Sequence, residues 1–424
     1  MNPTLRALLP KLALIIGLLL HLVSNQPAWK GVQDAGHGRD FASYYYGVQV
    51  ASLGDNPYEK RQLKARAQAE GTRKSVHPFF YPPPFLLAMQ WTRALDLHGA
   101  YKLWFWVDAL ATLLVGLALW RMVPKESTWL IGAAVLAWAS SIPNNHLMGQ
   151  ANLPVLAITL WGLVLSESET PKDWKPWAGG ALVGLAAMLK MSPGLLVLWW
   201  LVQGRWREAL AACGTAVLLS LLSLPVVGLD HQIFFFTQVL PDFSDGGYGG
   251  LSVPIELFGN HSIANLWAQV WPGENALSAS AKTATTATVG LLTLALLAGT
   301  WRTPRGLHRW AAVSALLVLM VLTPVYAYEH HVVFALPAWF VLAAALQQRK
   351  LHWTWLLVLV PAFVVSSWPI LQWKQMALAQ GPVLRGLIQE GKTLALLIQL
   401  LSTGFLATRG SLEARRRRGL ARAD

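Results

Sequence analysis

The fold of this chain is decided by apolar runs such as residues 100–120, which read AYKLWFWVDALATLLVGLALW. A run of this length can cross the ~30 Å hydrocarbon core of a bilayer as an α-helix. Comparable runs recur along the whole sequence, and an α-helix satisfies its own backbone hydrogen bonds inside lipid. The sequence therefore predicts an all-α, polytopic membrane protein.

Composition excludes a soluble protein of this size. Of the 424 residues, 54% are hydrophobic, 13% are charged and 22 residues are Trp. The net charge of +13 is spread over short clusters between the apolar runs, where Lys and Arg act as topology signals. We therefore expect no nucleic-acid partner. The single Cys213 lies inside an apolar run, so no disulfide framework is predicted.

We predict about twelve transmembrane helices in one domain, residues 1–424. The predicted spans are 5–23, 100–120, 128–143, 151–166, 177–190, 192–204, 208–229, 284–301, 309–326, 331–347, 352–370 and 392–408. The first is expected to be an uncleaved anchor, because no Ala-x-Ala site follows it. Residues 177–204 are too few for two full spans, so they form either two short helices broken near Pro193 or one long helix.

Alternation of these spans places only basic short connections on one side, which we assign to the cytoplasm together with both termini. Their basic residues are Arg121, Lys125, Lys172, Lys175, Arg205, Arg207, Arg302, Arg305, Arg309, Arg349, Lys350 and Arg415 to Arg418. Two large loops, 24–99 and 230–283, then lie on the outer side. The first contains two helix-like pieces, Phe41 to Leu53 and Pro84 to Leu97, which we expect to lie at the membrane interface.

Polar and aromatic clusters from distant parts of the chain fall on that outer side. They are Arg39-Asp40 with Tyr44, Tyr81 with three prolines, Asn144-Asn145-His146, Gln150 with Asn152, Lys190, Asn260-His261-Ser262 and Glu329-His330-His331. Polar groups at membrane depth are costly, so their convergence predicts a ligand-lined, water-filled cavity.

The ordered set of motifs resembles glycosyltransferase family 87 of the GT-C superfamily. RDFxxYY and NPY come first, followed by FFYPPPF, GQxN, LKxSP, NHS and TPxxxxEHH, which together cover residues 38 to about 331. Where the family is known by an NQS-type motif, this chain has Asn260-His261-Ser262. The resemblance implies a GT-C-like fold and a polyprenyl-phosphate-sugar donor, with mannose as the first choice. It also implies transfer to an acceptor hydroxyl on the extracytoplasmic face, with inversion.

The resemblance further implies that Asp40 is the catalytic base. One-step inversion needs a carboxylate to accept the proton of the acceptor hydroxyl, while the phosphate leaves from the opposite side of the sugar. The alternative is that Asp40 only caps the helix that begins at Phe41.

Lys190 and the adjacent histidines are the candidates for the donor phosphate. Lys190 lies within an apolar stretch and needs an anionic partner, although it could instead snorkel at a turn between short helices. His330 and His331 can donate to a phosphate, and we expect only one of them to do so. A metal site formed by His146, Glu329 and the two histidines lacks suitable ligand spacing, so no metal and no cofactor are predicted.

The remaining predicted substrate-binding residues have plainer alternatives. Gln150 and Asn152 bind sugar hydroxyls or cap the following span, and Tyr44 and Tyr81 contact substrate or act as interfacial aromatics. Arg39, His146, Asn260, His261 and Glu329 complete the predicted substrate-binding set.

A lipid or glycolipid transporter is the main rival function, since it also needs many spans and a polar cavity. Transporters commonly have duplicated halves, and no such repeat is visible in this sequence. The predicted partners are the polyprenyl-phosphate-sugar donor, a glycolipid, glycan or protein acceptor, and membrane lipids. The predicted location is a bacterial inner membrane.

Overall fold

The computed structural model describes residues 3–34, 38–72, 76–123, 135–167, 174–247, 249, 253–274 and 276–420. Within these ranges the chain is helical and contains no β-strand, as the apolar runs predict. Predicted span 128–143 lies partly outside the described residues. The basic residues Lys125 and Lys172 also lie outside them.

The first half of the chain holds helices α1 to α9. They are α1 Pro3–Asp34, α2 Arg39–Ser52, α3 Lys60–Ala69, α4 Pro83–Ala88, α5 Leu97–Met122, α6 Ser141–Met148, α7 Asn152–Ser166, α8 Lys175–Leu189 and α9 Leu195–Val202. Two 3-10 segments accompany them, Gln90–Ala94 and Ser192–Gly194.

The second half holds helices α10 to α20. They are α10 Trp206–Val227, α11 Leu229–Phe234, α12 Leu240–Ser244, α13 Ile263–Val270, α14 Ala279–Gly299, α15 Leu307–Leu322, α16 Leu336–Gln347, α17 Leu356–Ser367, α18 Ile370–Leu378, α19 Pro382–Gln389 and α20 Gly391–Leu420. A π-helical segment, Phe235–Val239, and two 3-10 segments, Glu329–Ala335 and Trp353–Trp355, complete the set.

Five helical stretches of the described residues are long and apolar enough to cross a membrane. They are Leu97–Met122, Trp206–Val227, Ala279–Gly299, Glu329–Gln347 and Gly391–Arg416. A sixth span results if Trp353–Ser367 and Ile370–Leu378, which meet at a bend of 101°, are counted as one. Predicted spans 151–166, 192–204 and 309–326 correspond to shorter apolar helices, so the count of about twelve stays a prediction.

Helix α15 is the centre of the larger hydrophobic core. All its residues from Trp310 to Leu322 are buried, and α7, α16 and α20 are among the helices that pack in the same cluster. In contrast, α10 and α14 expose large apolar side chains such as Leu221 and Leu291. An exposed apolar face on a long helix suits contact with lipid acyl chains.

The structure corrects the predicted start of the first outer loop. Helix α1 continues past Val23 to Asp34, instead of ending before Ser24. Tertiary contacts explain the extension: the Asn25 side chain bonds His146, and Ala28 and Val32 are buried in an aromatic cluster. The helix is therefore extended by packing, which overrides the polar local sequence.

The two helix-like pieces of that loop differ from each other. The first forms α2, whose residues are buried at nearly every position from Asp40 to Ala51, so its tyrosines are core residues. The second is shorter than predicted, because α4 ends at Ala88 and a 3-10 segment precedes α5. Residues 177–204 form two short helices, α8 and α9, separated at Lys190 to Gly194.

Candidate active site

A cavity of about 1140 Å³ opens among the predicted outer-side segments. Its polar wall includes Asp40, His77, Gln150, Lys190 and His330. Its apolar wall comes from α9, α14 and α15 and from the loop 230–283, with Leu195, Val289, Met320, Leu240 and Phe243 among the lining side chains. The cavity thus joins a polar end to a large apolar surface, which suits an amphiphilic ligand.

Asp40 is held in the first turn of α2 by two side chains. Its Oδ1 lies 2.7 Å from Nδ1 of His77, and its Oδ2 accepts a 2.7 Å hydrogen bond from Nε2 of Gln150. The N-cap residue of α2 is Gly38, with no side-chain cap, so the structure does not support the alternative that Asp40 merely caps the helix. Asp40 instead directs its carboxylate into the cavity wall.

The electrostatics of Asp40 keep it ionised. Burial alone raises the pKa of this carboxyl, but the hydrogen bond from His77, the nearby His330 and the hydrogen bond from Gln150 lower the pKa below its usual value. A carboxylate stabilised in this way is available to accept a proton at neutral pH.

Two glycines allow Gln150 to reach Asp40. Gly149 ends α6 with φ of 67°, and a Cβ at this position would lie 2.7 Å from Cβ of Phe41 in α2. Gly38 has φ of 75°, and its N–H donates to the Leu147 carbonyl at 3.2 Å. The positive φ angles and the close approach both require glycine.

Tyr44 and Tyr81 orient the amide of Gln150. The Tyr44 hydroxyl donates to the Tyr81 hydroxyl at 2.6 Å, and Tyr81 donates to Oε1 of Gln150 at 2.7 Å. Burial raises the pKa of both phenols, so both remain neutral donors. Because Oε1 accepts from the phenol, Nε2 is left to donate to Asp40.

Lys190 occupies the break between α8 and the following 3-10 turn. Its Nζ donates to Oδ1 of Asn152 and lies 5.6 Å from the centroid of the Tyr81 ring. Asn152 is buried and donates in turn to the His330 carbonyl at 3.0 Å. No carboxylate of the described residues lies within ion-pair distance of Lys190, and Asp40, in the same cavity wall, acts on it only at longer range.

His330 and His331 both line the cavity from the 3-10 segment Glu329–Ala335. Their ring centroids are 4.4 Å apart. Nδ1 of His331 accepts from the Tyr328 N–H at 3.0 Å, which makes Nε2 the protonated nitrogen of a neutral ring. Which of the two imidazoles contacts a ligand stays a prediction.

Glu329, Asn260 and His261 support this histidine segment from behind. Both carboxylate oxygens of Glu329 lie 2.7 Å from Nζ of Lys392. The Asn260 side chain bonds the backbone of Val325 and Ala327, so its side chain holds the turn that leads to Glu329. His261 is fully buried, with Nε2 at 3.5 Å from Glu329, and burial lowers its pKa.

Six of the predicted substrate-binding residues do not line the cavity: Arg39, Tyr44, His146, Asn152, Asn260 and His261. Arg39 is exposed on the first turn of α2. His146 is buried on α6, with Nδ1 2.8 Å from Oδ1 of Asn25 and Nε2 3.3 Å from the Thr112 hydroxyl. Among the described residues no group of three or more metal-ligating side chains is present, and His146 is separated from the two cavity histidines.

Sequence reasoning missed His77 and Lys392, each a direct partner of a site carboxylate. His77 lies two residues before the FFYPPPF motif that contains Tyr81, and a polar residue near an aromatic motif was the available signal. Lys392 begins a predicted span, where a lysine is expected to have an anionic partner or to snorkel. Neither pairing could be assigned, because each partner is distant in sequence.

The sequence matches a known protein family and several relatives. Residues 79–327 match the model of "Glycosyltransferase family 87", a range that begins after Asp40 and ends just before Glu329. A polyprenol-phosphate-mannose-dependent alpha-(1-2)-phosphatidylinositol pentamannoside mannosyltransferase of Mycobacterium tuberculosis is 26% identical over 361 residues. The alignment covers 81% of this chain and 76% of that relative.

Two further relatives come from the same organism. A polyprenol-phosphate-mannose-dependent alpha-(1-2)-phosphatidylinositol mannoside mannosyltransferase is 27% identical, over 62% of this chain and 61% of the relative. An alpha-(1->3)-arabinofuranosyltransferase is 27% identical, over 38% of this chain and 37% of its own length. Since the family match covers more than half of the sequence and the structure provides candidate membrane spans, the chain belongs to glycosyltransferase family 87 and is a membrane glycosyltransferase.

Proposed function

We propose that this protein transfers mannose from a polyprenyl-phosphate donor to an acceptor hydroxyl, with inversion at the anomeric carbon. One observation carries the proposal: a single cavity brings an ionised carboxylate, Asp40, together with a lysine that forms no close ion pair, Lys190, and two imidazoles. The carboxylate suits proton abstraction, and the cation and imidazoles suit a phosphate leaving group.

The donor is oriented by its charged and apolar parts. Its phosphate binds Lys190 and His330 or His331, while its polyprenyl chain lies along the apolar wall formed by Leu195, Val289 and Met320. Lys190 is already positioned by Asn152, so binding requires little reorganisation.

In the reaction, the acceptor oxygen attacks C1 of the sugar from the side opposite the phosphate. Asp40 accepts the hydroxyl proton as the new C–O bond forms, and the bond from C1 to the phosphate oxygen breaks. The electron pair of that bond remains on polyprenyl phosphate, whose added negative charge Lys190 stabilises. No acid has to protonate this leaving group. A β-linked donor gives an α-linked product.

The choice of mannose rests on the two mannosyltransferase relatives, which are named for polyprenol-phosphate-mannose dependence. The acceptor class is a glycolipid, a glycan or a protein. We place the cavity on the extracytoplasmic face of a bacterial inner membrane, because the short connections on the opposite side of the predicted topology are basic.

The experiment is transfer of labelled sugar by membranes that contain the protein, with polyprenyl-phosphate-mannose and polyprenyl-phosphate-arabinofuranose offered separately. Total lipid, glycan and protein fractions serve as acceptors. We expect label to be transferred from the mannosyl donor. The anomeric configuration of the product, determined by NMR, should be opposite to that of the donor. Transfer of label from the arabinofuranosyl donor alone would contradict mannose as the transferred sugar. A retained anomeric configuration would contradict a one-step mechanism with Asp40 as the sole base.

A further inference from the structure

Glu329 poses an electrostatic problem for the proposed phosphate site. Its side chain lines the cavity and directly precedes His330 and His331 in the same 3-10 segment. An anionic carboxylate at this position repels an incoming phosphate, and in a site of low dielectric the repulsion is strong. The inference below rests on the proposed function, because it concerns the same donor phosphate.

Lys392 is placed to cancel this charge. It lies at the start of α20 and is 1% exposed, with Nζ 2.7 Å from each oxygen of Glu329. Glu329 lines the cavity, whereas Lys392 does not. The lysine therefore acts on the cavity through the carboxylate and does not reach a ligand directly.

The other neighbours of Glu329 do not replace this cation. The Ser140 hydroxyl donates to Oε1 at 2.6 Å and carries no charge. His261 lies 3.5 Å from Oε2, and its two ring nitrogens have no hydrogen-bond partner among the described residues. Of the groups around the carboxylate, Lys392 supplies the close, two-oxygen ion pair.

We propose that Lys392 is a positioning residue for the donor phosphate: it neutralises Glu329 and fixes the segment that presents His330 and His331. The pair cancels the negative charge that Glu329 would otherwise present beside His330 and His331, and Lys190 is then the cation that an anionic ligand meets on this side of the cavity. A purely structural role for the pair predicts a different pattern of mutant effects, because both single variants would then act through folding alone.

The test measures binding of farnesyl phosphate and of uncharged farnesol to purified full-length protein in mildly alkaline buffer. The variants are Lys392→Met, Glu329→Gln and the double variant, which removes both charges. Glu167→Gln is the matched control, since Glu167 pairs with Arg205 and Arg309 away from the cavity.

We expect Lys392→Met to weaken farnesyl phosphate binding by at least about tenfold while farnesol binding stays unchanged. The double variant should return to within about threefold of the wild type, because the uncompensated carboxylate is gone. Glu329→Gln should bind farnesyl phosphate at least as tightly as the wild type. If Lys392→Met fails to fold, binding of farnesyl phosphate by Glu329→Gln still tests the proposal.

Several results would overturn this assignment. Equal losses for farnesyl phosphate and farnesol in Lys392→Met would indicate general damage, and so would a double variant as weak as Lys392→Met. Weaker farnesyl phosphate binding by Glu329→Gln also contradicts charge masking. A wild-type protein that neither binds farnesyl phosphate nor transfers sugar contradicts the proposed function itself. A wild type that does both, with an unaffected Lys392→Met, contradicts only the role of Lys392.

Discussion

The two ends of helix α7, Asn152–Ser166, carry polar networks of opposite character. At the carboxyl end, Glu167 pairs with Arg205 at 2.7 Å and with Arg309 at 3.0 Å, and Arg205 also donates to the Ser166 carbonyl. At the amino end, about 22 Å away, Asn152 holds Lys190, which forms no close ion pair among the described residues and faces the cavity.

The difference separates a structural network from the network that we propose to be functional. Charges around Glu167 satisfy each other and tie α7, α10 and α15 together. Lys190, which Asn152 holds in place, still faces the cavity. A cation at this depth without a close ion pair is costly, and a ligand anion offsets that cost. Substitutions at the two ends should therefore affect different properties of the protein.

The largest effect is expected at Asp40, a carboxylate of the cavity wall. Asp40→Asn keeps the shape of the side chain but removes the base, so transfer of labelled sugar should fall by about 10³-fold. Asp230→Asn is the matched control, because Asp230 also lies in a first helical turn but is exposed and outside the cavity. Equal transfer by Asp40→Asn and the wild type would mean that a group other than Asp40 removes the hydroxyl proton.

Removal of the cavity cation comes next. Lys190→Met should lower kcat/KM for the donor by about 100-fold, since a charge-assisted contact with the phosphate is lost. The measurement is a donor titration at fixed acceptor, with an acceptor titration beside it. If the acceptor KM rises and the donor KM does not, Lys190 belongs to the acceptor side.

His77 should have a smaller effect that depends on pH. In the wild type, burial raises the pKa of Asp40 and the hydrogen bond from His77 is the largest influence that lowers it. His77→Phe removes that bond, so the pKa of Asp40 rises and the base becomes protonated at higher pH. The acidic limb of the kcat/KM profile should therefore move to higher pH.

At neutral pH we expect a loss of about tenfold for His77→Phe, from poorer orientation of the carboxylate. His77→Asn keeps a hydrogen-bond donor and serves as the control, with a smaller shift of the acidic limb. An acidic limb that stays in place in His77→Phe would rule out the proposed influence of His77 on Asp40.

The smallest effect on catalysis is expected at the opposite end of α7. Glu167→Gln breaks two ion pairs of largely buried side chains and should destabilise the protein by about 2 kcal/mol. Its kcat/KM should remain within about twofold of the wild type at a temperature where it is folded. Thermal unfolding in detergent and transfer assays measure the two quantities separately. Loss of transfer without loss of stability would remove the distinction between the two ends.

Sequence patterns predicted the helices better than their packing. The predicted span 208–229 corresponds to the observed helix Trp206–Val227, because a continuous apolar stretch specifies a helix locally. The extension of α1 to Asp34 depends on a contact between Asn25 and His146, which are distant in the sequence. Helices α18 and α19 were not predicted, since their short amphipathic patterns lie between longer apolar runs.

The site was predictable where a motif contained the residue itself. Asp40, Gln150, Lys190 and the paired histidines all line the cavity, and each lies in a recognisable motif. The carboxylate partners were not predictable, because the pairing of Lys392 with Glu329 is created only by the tertiary fold.

The most direct test of this account is an experimental structure of the full-length protein in a lipid nanodisc with bound farnesyl phosphate. We predict that the phosphate lies within hydrogen-bonding distance of Nζ of Lys190 and of a ring nitrogen of His330 or His331. The farnesyl chain should follow the apolar wall at Leu195 and Val289. A phosphate bound elsewhere, with Lys190 still bonded only to Asn152, would contradict the assignment of the cavity end of α7 as the donor site.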